Sequence, residues 1–201
     1  AETRDNETGA HILRTQRYVK VLAEHLSHHQ DFSTELNSET IELMYKSAPL
    51  HDVGKVGIPD SILLKPGKLT DEEFEIMKTH AQVGANALLV AEGHRGSSYF
   101  LDFAREIALT HHEKWDGSGY PRGMKGDEIP LSGRLMALAD VYDALLSKRV
   151  YKPAFSHEKA KSIILEGSGS HFDARIVEAF IACEQEFIEI KNQFKDVQEE
   201  P

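Results

Sequence analysis

An all-α bundle of about seven helices is the fold this sequence predicts, and three observations carry that expectation. Apolar residues recur with the helical period along most of the chain. Glycine- and proline-rich loops punctuate it at 53–69 and 113–131. No stretch alternates apolar and polar residues as a half-buried strand does.

The first helix is expected from Gly9 to His29, with Ile12, Val19, Leu22, Ala23 and Leu26 on roughly one face. The second runs from about Ser38 to Asp52, with Ile41, Met44, Ala48 and Leu50 as apolar positions and Asn37 or Ser38 as N-cap. Pro49 removes a backbone donor and crowds the preceding turn, so a kink or a tightened turn is expected just before His51. Residues 53–69 read as a structured loop. Thr70 and Glu73 form a capping box that opens a helix reaching about Ala91 and carrying His80. A polar loop at 92–100 leads to a helix over about 101–112, which ends in His111 and His112. After the loop at 113–131, a helix from about Ser132 to Leu146 carries Asp140. A helix near 156–166, a turn at 167–172 and a long helix from about Asp173 to Phe194 complete the chain.

The length of 201 residues suits one domain with a substantial core. No linker or repeat splits it, so residues 1–201 are expected to form a single catalytic domain. A functional motif begins within ten residues of Ala1, and excision from a longer protein, with an upstream sensory or receiver domain, is the expectation. A net charge of −10 argues against a general DNA or RNA binder. It does not argue against a phosphate substrate, because bound cations invert the local sign. The single cysteine, Cys183, excludes an internal disulfide and a thiolate metal site, and reads as a small core residue. No apolar run approaches the ~20 residues of a membrane span. No signal-peptide pattern is visible, and the low cysteine count fits a reducing cytosol, so a cytoplasmic setting is expected.

The 11 histidines are informative through their arrangement. His51-Asp52 and His111-His112 stand at helix ends, His80 and Asp140 lie inside helices, and Glu7 precedes His11 by one helical turn. Such nitrogen and oxygen donors suit Fe, Mn or Zn. The two oxygens of Asp52 can bridge neighbouring ions, and paired ions about 3.5–4 Å apart are a standard device for in-line phosphoryl displacement. Spacing alone leaves open whether the helices bring these residues to one face. Lys55 lies three residues after Asp52, close enough to face the same site and to assist a leaving oxygen. The glycines of GSGYP, 117–121, suit a loop that approaches a ligand closely. Tyr120 can stack on a base, donate a hydrogen bond or simply pack the loop, and Trp115 reads as structural. Asp143, one turn after Asp140, can orient a ligand. His25, His28, His29, His94 and His157 have no partner in the pattern, and His171 is expected to pin a turn.

His51-Asp52 followed by Gly54-Lys55, with HHEKWDGSGYP from His111 to Pro121, resembles the HD-GYP family of the HD phosphohydrolase superfamily. ETGAH at 7–11, IPDSILLKPGKL at 58–69, DVYDALLSKRVYK at 140–152 and SHFD at 170–173 agree in the same order. The resemblance covers the chain from about residue 7 to about 180 and implies an HD-type bundle around a central metal site. It also implies a phosphodiesterase that opens cyclic di-GMP to linear pGpG and on to GMP, or cleaves cyclic GMP-AMP, through in-line attack by a metal-bound hydroxide. The implied ligands are His11, His51, Asp52, His80, His111, His112 and Asp140, with Glu7 added where three metals are held. Two or three divalent ions, Fe or Mn above all, would be bound. Gly119, Tyr120 and Pro121 would shape the substrate site and meet a protein partner, and Arg149 and Lys152 would hold substrate phosphate. A third metal position has independent motivation: Glu7 can point into the cavity of His11, and the adjacent His111 and His112 can reach different ions. Two rivals are an HD enzyme for nucleotide mono- or triphosphates, against which the GYP segment argues, and a receptor without turnover, which predicts missing ligands.

Overall fold

The computed structural model describes residues 9–95, 98–147 and 154–195. Glu7, Arg149 and Lys152 lie outside the described residues. Among the described residues ten α-helices follow one another in order: α1 (Gly9–Leu26), α2 (Ser38–Ser47), α3 (Asp60–Leu63), α4 (Asp71–Lys78), α5 (His80–Arg95), α6 (Tyr99–Thr110), α7 (Leu131–Leu146), α8 (His157–Glu166), α9 (Ala174–Ala182) and α10 (Glu184–Gln193). Among the described residues there is no strand, only an isolated bridge between Ser168 and Phe172. No helix of these residues is long and apolar enough to cross a membrane.

The all-α expectation holds, and the larger helix count has local causes. The helix expected to run on from Thr70 is divided at Thr79, whose hydroxyl donates to the Ile76 carbonyl at 2.6 Å. The long C-terminal helix is divided at Cys183, where φ −101° and ψ 18° leave the helical region. The loop at 53–69 contains a 3-10 turn, Val53–Gly57, and the four-residue α3. The polar loop at 92–100 is shorter than expected, because α5 continues to Arg95.

Caps form where the sequence places them. Asn37 Oδ1 accepts from Thr40 N at 2.9 Å. Glu73 Oε2 accepts from Thr70 N at 2.7 Å while Thr70 Oγ1 accepts from Glu73 N, closing the capping box of α4. The proline effect is also present: α2 tightens into a 3-10 turn at Ala48–Leu50, which delivers His51 at its end.

The main core lies among α1, α2, α6, α7, α8, α9 and α10, with Tyr18, Leu22, Met44, Ile107, Leu135, Phe180 and Phe187 buried in it. Tyr18 stacks on Phe187 with centroids 4.4 Å apart and meets Tyr142 edge-on at 5.2 Å. Cys183 is buried there as expected. A smaller cluster of Leu88, Ala104 and Ala108 joins α5 to α6.

One backbone contact sets the position of α5. A Cβ at Gly54 would collide with the His80 carbonyl and the Gly84 amide, so the 3-10 turn and α5 meet backbone to backbone. This contact brings His51-Asp52 and His80 to the same side of the bundle. Gly54→Ala is therefore expected to destabilise the fold by about 1–3 kcal/mol, the scale of overpacking. Denaturant unfolding followed by circular dichroism measures this, and an unchanged midpoint would mean that the two segments separate without cost.

Candidate metal centre

Five elements deliver seven donors to one place. His11 comes from α1, His51 and Asp52 from the turn after α2, His80 from the start of α5, His111 and His112 from the end of α6, and Asp140 from the middle of α7. These side chains form two groups. In one, donor atoms of Asp52, His80, His111 and His112 all lie within 4.8 Å of one another. In the other, donor atoms of His11, His51 and Asp140 do so.

Asp52 stands between the groups. Its Oδ1 is 3.1 Å from His80 Nε2 and 3.5 Å from His111 Nε2. Its Oδ2 is 3.3 Å from His51 Nε2. On the far side, Asp140 Oδ1 lies 3.7 Å from His11 Nε2 and 4.0 Å from His51 Nε2.

The tautomers follow from what the other ring nitrogens touch. His51 Nδ1 faces the Ala48 carbonyl at 2.9 Å, and His80 Nδ1 faces the Met77 carbonyl at 2.7 Å. His111 Nδ1 lies 3.0 Å from the Ile107 carbonyl and 3.1 Å from that of Ala108. A carbonyl only accepts, so each Nδ1 carries the proton and each Nε2 turns a lone pair inward. His80 Nε2, His111 Nε2 and Asp52 Oδ1 are buried and make no hydrogen bond among the described residues. Three lone-pair atoms facing one another in a buried space repel unless a cation lies among them. The donor set therefore fits a divalent metal, through nitrogen and oxygen ligands with a carboxylate able to bridge.

His11 is oriented differently. Its Nδ1 donates to Asp143 Oδ2 at 2.9 Å. Arg14 grips the same carboxylate with Nε on Oδ1 at 2.6 Å and an Nη on Oδ2 at 2.8 Å, a bidentate fork. Asp143 thus meets His11, a candidate ligand, as its position one turn after Asp140 suggests. Arg14 escaped the sequence reading, although it lies three residues after His11 on the same helix face.

Charges in the cluster reinforce one another. Burial pushes the Asp52 carboxyl up, but the facing His51 ring and the Lys55 ammonium outweigh this and hold it well below the usual carboxylate range. Burial lowers the pKa of His111, and burial with the neighbouring His111 and His80 holds that of His112 well below its ordinary value, which favours the neutral rings a metal would need. His11 goes the other way: burial lowers it, yet the hydrogen bond to Asp143 and the charge of Asp140 raise it overall.

Lys55 enters the site. Its Nζ lies 2.8 Å from Asp52 Oδ2, and the side chain is largely buried rather than solvent-facing. Tyr120 lies at the mouth, stacked on His112 with centroids 4.7 Å apart. Gly119 permits a close approach inside the loop itself, since a Cβ there would strike the backbone of His112, Glu113 and Lys114. Pro121 is exposed at the rim. Glu113, which sequence reasoning passed over, holds the loop: its carboxylate accepts from Arg122 N at 2.7 Å and from Met124 N at 3.0 Å.

Trp115 is structural: its backbone amide donates to the His171 carbonyl at 3.1 Å and its ring lies under the Arg134 and Arg175 guanidiniums, while His171 holds a turn through its own amide on Gly167 O at 2.9 Å. His157, which has no partner in the donor pattern, stands away from the cluster and bridges the Tyr142 hydroxyl at 2.9 Å and Glu184 at 2.7 Å.

The comparisons agree with this architecture. The chain belongs to the HD domain family, whose model matches residues 6–176. Within that family it is of the HD-GYP type, on the motifs from His51 to Pro121 and on the relatives it matches. It is 70% identical over 196 residues to a cyclic di-GMP phosphodiesterase of Vibrio cholerae serotype O1, covering 98% of this chain and 40% of the relative. It is 44% identical over 195 residues to 3′3′-cGAMP-specific phosphodiesterase 2 of the same organism, covering 97% of this chain and 35% of the relative. An HDG"Y"P protein from Bdellovibrio bacteriovorus shares the fold with a TM-score of 0.59 at 19% identity, over 89% of this chain and 54% of that one. The chain thus spans less than half the length of these two curated relatives.

Because Asp143 fixes both the tautomer and the aim of His11, Asp143→Asn is expected to weaken metal binding about 10- to 100-fold. Titration with Mn(II) in the presence of a competing chelator reads this directly. Unaltered affinity would show that His11 needs no orienting partner.

Proposed function

We propose that this chain is a metal-dependent phosphodiesterase that hydrolyses a cyclic dinucleotide. The observation that carries the reading is the Asp52 carboxylate set between two groups of donors, His80, His111 and His112 on one side and His11, His51 and Asp140 on the other. Bound divalent cations would supply charge neutralisation for phosphate oxygens and a more acidic water. Fe or Mn is the favoured identity, on the imidazole and carboxylate donors. Two positions are proposed from these seven residues, and a third would add Glu7.

Hydrolysis adds the oxygen of water to phosphorus and breaks the bond to a ribose oxygen, which leaves with a proton. Lys55 is proposed to stabilise the charge on that leaving oxygen and to hand it the proton, since its ammonium already stands 2.8 Å from Asp52. Tyr120 is proposed to contact a base, and Arg149 with Lys152 to hold the second phosphate. Cyclic di-GMP is the favoured substrate because the relative of that name is 70% identical, whereas the relative named for 3′3′-cGAMP is 44% identical. Residues 1–201 are taken as one catalytic unit of a longer cytoplasmic protein, in keeping with the greater length of those relatives.

Metal-loaded protein incubated with cyclic di-GMP and with 3′3′-cGAMP, and followed by chromatography, tests the proposal. Linear dinucleotide or GMP is the expected product, and two intact substrates in a metal-replete sample would defeat it. Asp52→Ala is expected to abolish turnover and lower metal content together, because one carboxylate serves both groups. Folded Asp52→Ala protein with full metal content would refute the bridge. Lys55→Ala is expected to keep its metals while turnover falls roughly 10²-fold or more. Rates matching wild type would remove Lys55 from the chemistry.

A further inference from the structure

The helix α4 fully buries none of its side chains, yet its end leads through Thr79 directly into His80. Phe74 is 46% exposed on it. The Phe74 ring meets Tyr120 edge-on, with centroids 6.2 Å apart. Tyr120 in turn stacks on His112, and His112 packs against His111 at 4.0 Å. Rings therefore run without a gap from the buried donors to the surface. Lys78 completes this edge: its Nζ lies 5.6 Å from the Phe74 centroid and 5.8 Å from that of Tyr120. The Lys78 ammonium also pairs with Glu75 at 2.6 Å, but Glu75 is exposed and such a surface pair opens readily.

An isolated exposed phenylalanine needs no explanation. This one has an aromatic partner, a cation over both rings, and a place at the mouth of the donor cluster. We propose that Phe74 and Tyr120 form the platform for one base of the cyclic dinucleotide, one ring against its face and the other, at 84° to the first, against its edge, and that Lys78 selects guanine there. The proposal rests on the phosphodiesterase reading above and adds the source of base specificity to it. Stacking tolerates any base, so the platform alone does not discriminate. Guanine presents O6 and N7 as two acceptors on one edge, whereas adenine presents N7 beside an amino donor. An ammonium only donates, so it matches the guanine edge and meets a donor on adenine. Lys78 is thus a specificity residue, distinct from Lys55, which stands against Asp52.

Wild type, Phe74→Ala, Phe74→Trp and Lys78→Met, each loaded with Mn(II), would be compared for metal content and for hydrolysis of cyclic di-GMP. Calorimetry with phosphorothioate analogues of cyclic di-GMP and cyclic di-AMP would read binding apart from turnover. Metal content is expected to stay at the wild-type level throughout. Phe74→Ala is expected to weaken the guanine analogue about tenfold or more and to raise KM more than it lowers kcat, and Phe74→Trp to restore both. Lys78→Met is expected to lose about tenfold for the guanine analogue and little for the adenine one. Unchanged affinity in Phe74→Ala overturns the platform. Equal losses for both analogues in Lys78→Met overturn its role as a base reader. Wild type that binds the guanine analogue but leaves cyclic di-GMP intact overturns the phosphodiesterase reading alone, and the platform then stands or falls on the binding loss of Phe74→Ala. Wild type that binds neither analogue overturns both.

Discussion

The carboxylate of Asp52 turns one oxygen toward His80 and His111 and the other toward His51 and Lys55. A side chain used on both sides tolerates little displacement, and much of the surrounding chain serves to hold it. Pro49 tightens the end of α2 so that His51 and Asp52 leave the helix together. Gly54 lets the following turn press against α5, which sets His80 opposite Asp52. Neither Pro49 nor Gly54 has a polar side-chain atom, yet both determine where the candidate ligands stand.

Helix ends do a second job here. Carbonyls one turn back from His51, His80 and His111 accept from their Nδ1 atoms. Each of these carbonyls also accepts a backbone amide, from His51, Thr79 and His111 respectively, so its two lone pairs serve two donors. The imidazoles are thereby oriented, Nδ1 toward a carbonyl and Nε2 toward the site, without a carboxylate for each. His11 is the exception, because its Nδ1 is met by a side chain. A carboxylate from α7 is recruited instead, and Arg14 neutralises it.

Much of this was legible in the sequence, and the omissions have physical causes. Helical periodicity and capping chemistry are local, so the bundle, the Asn37 cap and the Thr70–Glu73 box could be read directly. The breaks at Thr79 and Cys183 could not, since neither residue is a helix breaker by propensity. The ligand types and order were readable because helix ends and adjacent histidines are visible as text. Their convergence was not, because it depends on the Gly54–Gly84 contact between segments distant in sequence. Arg14 was missed for a related reason, since its partner Asp143 is far along the chain, and Glu113 because it holds backbone amides of its own loop, Arg122 and Met124, which no residue pattern marks. Glu7, Arg149 and Lys152 lie outside the described residues, and their roles rest on the resemblance.

Glu113 has a wider meaning. It follows His112 directly, and its two oxygens hold the amides that close the segment containing Tyr120. The same loop is fastened at Trp115 and Asp116 to the carbonyls of His171 and Ser170. Grafting residues 117–121 alone onto another bundle would leave their shape behind. The transferable module runs from the last turn of α6 to Ile129 and brings its docking turn at 167–173 with it. Recombination or protein engineering that cuts inside this module would separate the mouth of the site from the scaffold that shapes it.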